Sequence, residues 1–160
     1  MLSFAEIEKF ALYKIKQHLS SEWRFEFSDK MTNAFGYCYS TKVIRLSSIY
    51  TKLNIKFFHL IKDIILHEIA HGMQYEKEGI ISHNKNWKKH CIEIGAIPKT
   101  RFSAYDVTCP CDKWAFRNSV CGKVYEYHEE KPDIPVDEYG EIFIDEMEYP
   151  NKFELVWCGK

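Results

Sequence analysis

No stretch of this sequence approaches the roughly 18 uninterrupted apolar residues that a membrane-spanning helix needs, although 46% of its 160 residues are hydrophobic and 16% aromatic. The expectation is a soluble chain with no membrane partner. The sequence also lacks an internal repeat, a low-complexity tract and a long Gly/Ser linker, which argues against solenoids and tethered arrays. Its N-terminal stretch, MLSFAEIEKFALYKIKQHL, sets Glu6, Glu8 and Lys9 among Phe4, Ile7, Phe10, Ala11 and Ile15. Without an uncharged core or a small-residue cleavage site, it reads as an amphipathic helix and not as an export signal. The length bounds one main domain plus a small appendage. A cytoplasmic location, or a nuclear one in a eukaryotic host, is expected. In such a compartment the six cysteines are thiols or metal ligands rather than disulfides.

Charge is uninformative until it is divided along the chain. The net value is -1, yet residues 85 to 124 hold eight Lys/Arg against three Asp/Glu, and residues 131 to 160 hold three against eight. That asymmetry suits an anion-facing surface followed by an acidic flap; a solvated surface of mixed charge is the plainer alternative.

Trp23, Phe25 and Phe27 alternate with Arg24 and Glu26, the period of a half-buried strand. FGYCY and KVIRLS supply two more strands, with Gly36 and the Ser40-Thr41 pair read as turns. From Asn54, a plausible N-cap, to Gly79 runs NIKFFHLIKDIILHEIAHGMQYEKEG, about six turns and apolar on nearly every side in its middle, as befits a helix at the centre of a domain. Ser82 is placed to cap a second helix, closed by Gly95 and Pro98. Beyond that, short β-prone segments carry Cys, Pro and charge. The expected division is 1–104 and 105–160.

The central helix carries His67-Glu68-Ile69-Ala70-His71. Positions i and i+4 stack on one helical face, so His67 and His71 can offer two imidazole nitrogens to one zinc ion. Glu68, rotated by about 100 degrees, can reach a water at the metal without competing as a ligand, which is where a general base must sit. Chance occurrences of the pentad are common. The setting strengthens it, since Leu60, Ile64, His67 and His71 share a stripe, and burying unpaired imidazoles costs free energy that a metal offsets. Catalytic zinc usually keeps three protein ligands and an open position. His83 leads for the third place, brought over by the loop 79–82. Its rivals are His90 on the same stripe as His83, Trp87 and Ile94, then Glu76, Glu78 and Cys38.

GYCYSTKVIRLS, LHEIAH, and HNKNW followed by a helix ending in GAIP together resemble the SprT-like family, which includes the Spartan DNA-protein crosslink proteases. The resemblance covers about residues 20 to 110. It implies an α+β, zincin-like minimal metalloprotease core: a small antiparallel sheet, a central HExxH helix and a following ligand helix. It further implies His67, His71 and His83 as zinc ligands, Glu68 as the catalytic base and Trp87 as the aromatic that follows the third ligand. The residue after that ligand, commonly Gly in the family, is Asn84 here. Protein or peptide substrates, some held on DNA, are what the resemblance implies, with the basic stretch, Trp114 and Phe116 as DNA contacts.

SprT-like proteins often append a β-rich zinc-ribbon-like module, and YDVTCPC resembles its start. The expected Cys-x-x-Cys partner knuckle is missing. Cys121-Gly122-Lys123 and Cys158-Gly159-Lys160 each begin like one. Three readings follow: a second, structural zinc on Cys109, Cys111, Cys121 and Cys158; a ribbon that keeps its β-fold through Trp114, Phe116, Tyr125, Phe143, Ile144 and Val156 without metal; or a truncated chain. KPDIPVDEYGEIFIDEMEYP reads as a loop and an acidic strand.

The leading functional expectation is a zinc-dependent peptidase with Glu68 moving the proton. Further oxyanion stabilisation is unassigned among His90, Tyr75 and Tyr39. A DNA- or protein-binding scaffold with structural zinc and little proteolytic activity is the alternative from another class, against which Glu68 speaks. Hydrolysis of a smaller amide with Cys38 as ligand is the second enzymatic reading.

Overall fold

A computed structural model of the chain describes residues 2–133 and 153–159, so the acidic strand expected within 134–152, with Phe143 and Ile144, lies outside the described residues. The fold is mixed α and β in two compact units, Met1–Arg101 and Phe102–Lys160.

The first unit opens with helix α1, Phe4–His18. Ser3 and Glu6 form a reciprocal capping box at its start, satisfying two otherwise orphaned amide donors. Ile7, Ala11 and Ile15 form its buried stripe. Strands β1 (Arg24–Ser28), β2 (Gly36–Tyr39) and β3 (Val43–Ser47) follow, in the spatial order β1-β3-β2. β2 and β3 pair antiparallel across a turn in which Lys42 takes a left-handed backbone. β1 and β3, however, run parallel. The sheet is therefore mixed, where an antiparallel one was expected. The reason is connectivity: the chain reverses between β1 and β2 and again in the β2–β3 turn, so β3 runs in the direction of β1, while its burial, with Val43, Ile44, Leu46 and Ser47 buried, gives it the central place.

The helical half departs from expectation at its start. A short helix α2, Ser48–Asn54, precedes the central helix α3, Phe58–Glu78. Ser47 caps α2, and buried Asn54 donates from Nδ2 to the Tyr50 carbonyl at 2.9 Å. Asn54 thus ends α2 and does not cap α3. Eleven consecutive residues of α3, Ile64 to Gln74, are buried, as expected for a helix enclosed on all sides. Gly79 ends α3 in the left-handed conformation that favours glycine.

Helix α4 is Lys85–Ile94, closed by left-handed Gly95. Its cap is Asn84, whose Oδ1 accepts from the amides of Asn86 and Trp87 at 2.9 and 3.0 Å. Ser82, expected in that role, is engaged elsewhere. Gly36 also differs from expectation: it lies in β2, facing α3, and not in a turn.

The second unit is a three-stranded antiparallel sheet of β4 (Trp114–Asn118), β5 (Val124–His128) and β6 (Phe153–Trp157), in the order β5-β4-β6. Ala115, Val124 and Cys158 form its small core, with Cys111 and Tyr127 packed against it. Buried Arg117 is satisfied by Glu154 at 2.8 Å and Thr108 Oγ1 at 2.7 Å, the pairing a buried charge requires.

Candidate metal centre

His67 and His71 project from one face of α3, and the loop between α3 and α4 brings His83 against them. The His83 Nε2 lies 3.1 Å from that of His71 and 3.2 Å from that of His67. Among the described residues these three are the one group of His, Cys, Asp or Glu whose ligand atoms converge this way. A tetrahedral ion with Zn–N bonds of about 2.05 Å sets its nitrogens about 3.3 Å apart, so the spacing fits one. The chemistry fits as well. A neutral imidazole carries one N–H, and with that proton on Nδ1 each of the three rings can turn an Nε2 lone pair toward a common point, the donor set a cation takes.

The rings are held neutral. Burial, then the His83 charge, pushes His67 down to about 4, opposed by a backbone hydrogen bond with Lys99. Burial, then His67 and His83, pushes His71 down to about 3, with Gln74 opposing. His83 is lowered by its partial burial and by nearby Arg101. Metal binding needs imidazole in this deprotonated state.

Trp87 is wholly buried beneath the cluster. Its ring stacks on His71 at 5.2 Å and meets His67 and His83 edge-on at 4.8 and 4.5 Å. Gln74 fixes the loop: its Oε1 accepts the Ser82 amide at 2.9 Å and its Nε2 donates to Ser82 Oγ at 3.1 Å. Sequence reasoning missed Gln74, whose only signal was an amide inside an otherwise apolar run, three residues past His71. It missed Lys99 and Arg101 too.

Glu68 lies on α3 next to His67 and is buried. Desolvation pushes its carboxyl up to about 8, and the Cys38 backbone N–H draws it partly back. The rival ligands sit elsewhere. Glu76 accepts from the Ser20 amide at 3.0 Å and Trp23 Nε1 at 2.8 Å, and Glu78 accepts from Asn86 Nδ2 at 2.5 Å. His90 is buried beside Glu93, 3.4 Å away. Cys38 is a buried thiol whose pKa burial raises far above the ordinary value, as suits a small packed side chain.

In the second unit the cysteines divide. Cys111 and Cys158 meet at one end of β4, where the amides of Cys111 and Asp112 donate to the Cys158 carbonyl at 3.1 and 3.2 Å. The Cys109 amide donates to the Tyr127 hydroxyl at 3.2 Å, and Tyr127 pairs with Ala115 near that same end. Cys121 lies in the turn beyond the other end of β4, exposed, its amide on Asn118 Oδ1 at 2.9 Å. A strand of this length separates the two ends by about 14 Å. Phe116, expected as a DNA contact, is buried and stacked on Phe153 at 5.1 Å; Trp114 is half-buried beside Trp157.

Three neutral imidazoles converging from a central helix and its following loop define a domain that could hold a single metal ion. The model of the SprT-like family matches residues 4–107, and the chain belongs to that family. A comparison with curated proteins gives no match. Among the described residues no helix is long and apolar enough to cross a membrane.

Proposed function

We propose that this chain is a zinc-dependent peptidase acting on proteins, including proteins held on DNA. The observation that carries the reading is the Glu68 carboxyl, buried on the same helix as two of three converging histidines. A purely structural metal site has no use for a desolvated carboxyl one residue from its ligand.

His67, His71 and His83 would hold the ion, with the Trp87 ring and the Gln74–Ser82 bonds fixing their approach. Zinc, when bound, lowers the pKa of water toward about 7 and polarises a carbonyl. Glu68 takes the proton of the attacking water and returns it to the departing amine, a task for a carboxylate held beside the ion but not bound to it. Glu68 itself is buried while His83 is exposed, so the carboxyl is kept from bulk water on a site that stays open on the His83 side.

The DNA element rests on the exposed face of α4, where Lys85, Lys88 and Lys89 stand in water, and on the family resemblance. Phosphate attraction of this kind weakens with salt. In the second unit, a second zinc on Cys109, Cys111, Cys121 and Cys158 requires Cys121 to leave its turn, and no cysteine group among the described residues converges as the three histidines do, so a β-module that keeps its fold without metal is the version we favour.

The test is Glu68→Gln, assayed on fluorescein-labelled casein with and without single-stranded DNA. The variant is expected to retain zinc and to lose cleavage by at least about 100-fold, the scale of a lost general base. Cleavage at the wild-type rate would remove Glu68 from the mechanism. Zinc and DNA binding by a wild type without cleavage would favour the binding-module alternative.

A further inference from the structure

Strand β2 lies at an edge of its sheet, and the ladder fixes which of its backbone groups face outward. The Ser47 amide donates to the Phe35 carbonyl at 2.8 Å. In an antiparallel pair bonded and non-bonded positions alternate, so Tyr37–Arg45 and Tyr39–Val43 are bonded pairs. Gly36, opposite Leu46, and Cys38, opposite Ile44, therefore turn their N–H and C=O away from β3.

Gly36 and Cys38 also share the face toward α3, since side chains alternate along a strand. Gly36 is not needed for its backbone conformation: the positive-φ glycines are Gly79, Gly95 and Gly122. It is needed for space. A Cβ there would come within 2.8 Å of Ile64 Cγ2 and within 3.0 Å of both Cγ and Oε1 of Glu68. Ile64 is β-branched and held in the core, so it yields little, and the side chain left to move is Glu68. Two residues on, the outward Cys38 amide bears on the same carboxylate.

We propose that β2 positions the Glu68 carboxylate: Gly36 keeps open the space the carboxylate occupies, and the Cys38 backbone N–H donates to one of its oxygens, leaving the other for the proton that moves. Gly36 and Cys38 are positioning residues, acting through Glu68. The inference rests on the assigned role of Glu68, but its geometry can be tested without any activity.

Amide hydrogen exchange of the zinc-loaded full chain, read residue by residue by NMR, supplies that test. An outward amide on an edge strand exchanges quickly unless something accepts from it. In the wild type Cys38 should be protected. Glu68→Ala should speed its exchange by about tenfold or more while Tyr37 and Tyr39, bonded to β3, keep theirs, which also certifies folding. Gly36→Ala should do the same, and should add nothing in the Glu68→Ala background. On casein, Gly36→Ala should lower kcat at unchanged zinc content and nearly unchanged KM. Cys38 exchange unaffected by Glu68→Ala overturns the proposal, as does Gly36→Ala loosening Tyr37, Cys38 and Tyr39 alike. A wild type that cleaves nothing would sink the peptidase reading alone, because the exchange pattern decides the positioning independently.

Discussion

Gln74 and Ser82 hold each other through two hydrogen bonds, amide oxygen to backbone N–H at 2.9 Å and amide nitrogen to hydroxyl at 3.1 Å. That pair joins the buried body of α3 to the residue immediately before His83. The third imidazole is thus delivered by a loop whose position is set from inside the core.

Replacing Gln74, which is fully buried, with Ala removes both bonds and leaves a cavity. A loss of about 1–3 kcal/mol of stability is expected from the unsatisfied Ser82 amide alone. Zinc affinity should fall with it, since His83 is no longer pinned. Urea unfolding and a zinc titration of Gln74→Ala check both; unchanged affinity would show that the loop holds its shape without Gln74.

Trp87→Ala should be more damaging to folding, by about 3–5 kcal/mol for a large buried aromatic. Trp87→Phe should retain most of the stability while losing the indole that reports on the site. Because that ring touches all three imidazoles, tryptophan emission should change when zinc is added to the metal-free wild type and change much less in Trp87→Phe. Equal changes in both would place the metal away from Trp87.

Acid should destabilise the metal-free chain. His67 and His71 fold with values lowered from 6.5 to about 4 and about 3, so the unfolded chain binds more protons between those values and 6.5. Their contribution is full above about 6.5 and is lost as pH falls through the folded values. The raised Glu68 carboxyl acts in the opposite direction over the same range, so the measurement uses Glu68→Gln, whose side chain does not titrate: its unfolding midpoints in urea at pH 7.5, 6 and 5, at constant ionic strength, should decline in that order. A flat profile would mean that these imidazoles are not buried as described.

Cys121→Ser should change neither zinc content nor thermal stability, given its exposed place in the β4–β5 turn. Cys158→Ser, at a fully buried position, should lower stability whether or not the second unit binds metal, because a hydroxyl replaces a thiol in an apolar core. Loss of one zinc equivalent in Cys121→Ser would instead restore the four-cysteine arrangement.

The parts legible in the sequence were those set by local periodicity. The i, i+4 spacing of His67 and His71 declares a shared helical face, and the alternation of Trp23, Phe25 and Phe27 declares a strand. His83 was legible through family resemblance more than through spacing. Strand direction is not legible, because the period of two is the same in parallel and antiparallel sheets; only the folded sheet shows β1 parallel to β3. Asn54 misled because Asn serves both to start a helix and to bond back to one that is ending. Gly36 was read as a turn because glycine often makes one, whereas its reason is the close approach of α3, which only the tertiary arrangement supplies. Gln74 carried the same kind of hidden information.

The account depends above all on three histidines from different turns of the chain holding one ion. Zinc content per chain, measured after dialysis on wild type and His83→Ala prepared side by side, tests this most directly. The expected result is one zinc equivalent fewer in His83→Ala; equal zinc in the two proteins would contradict the site.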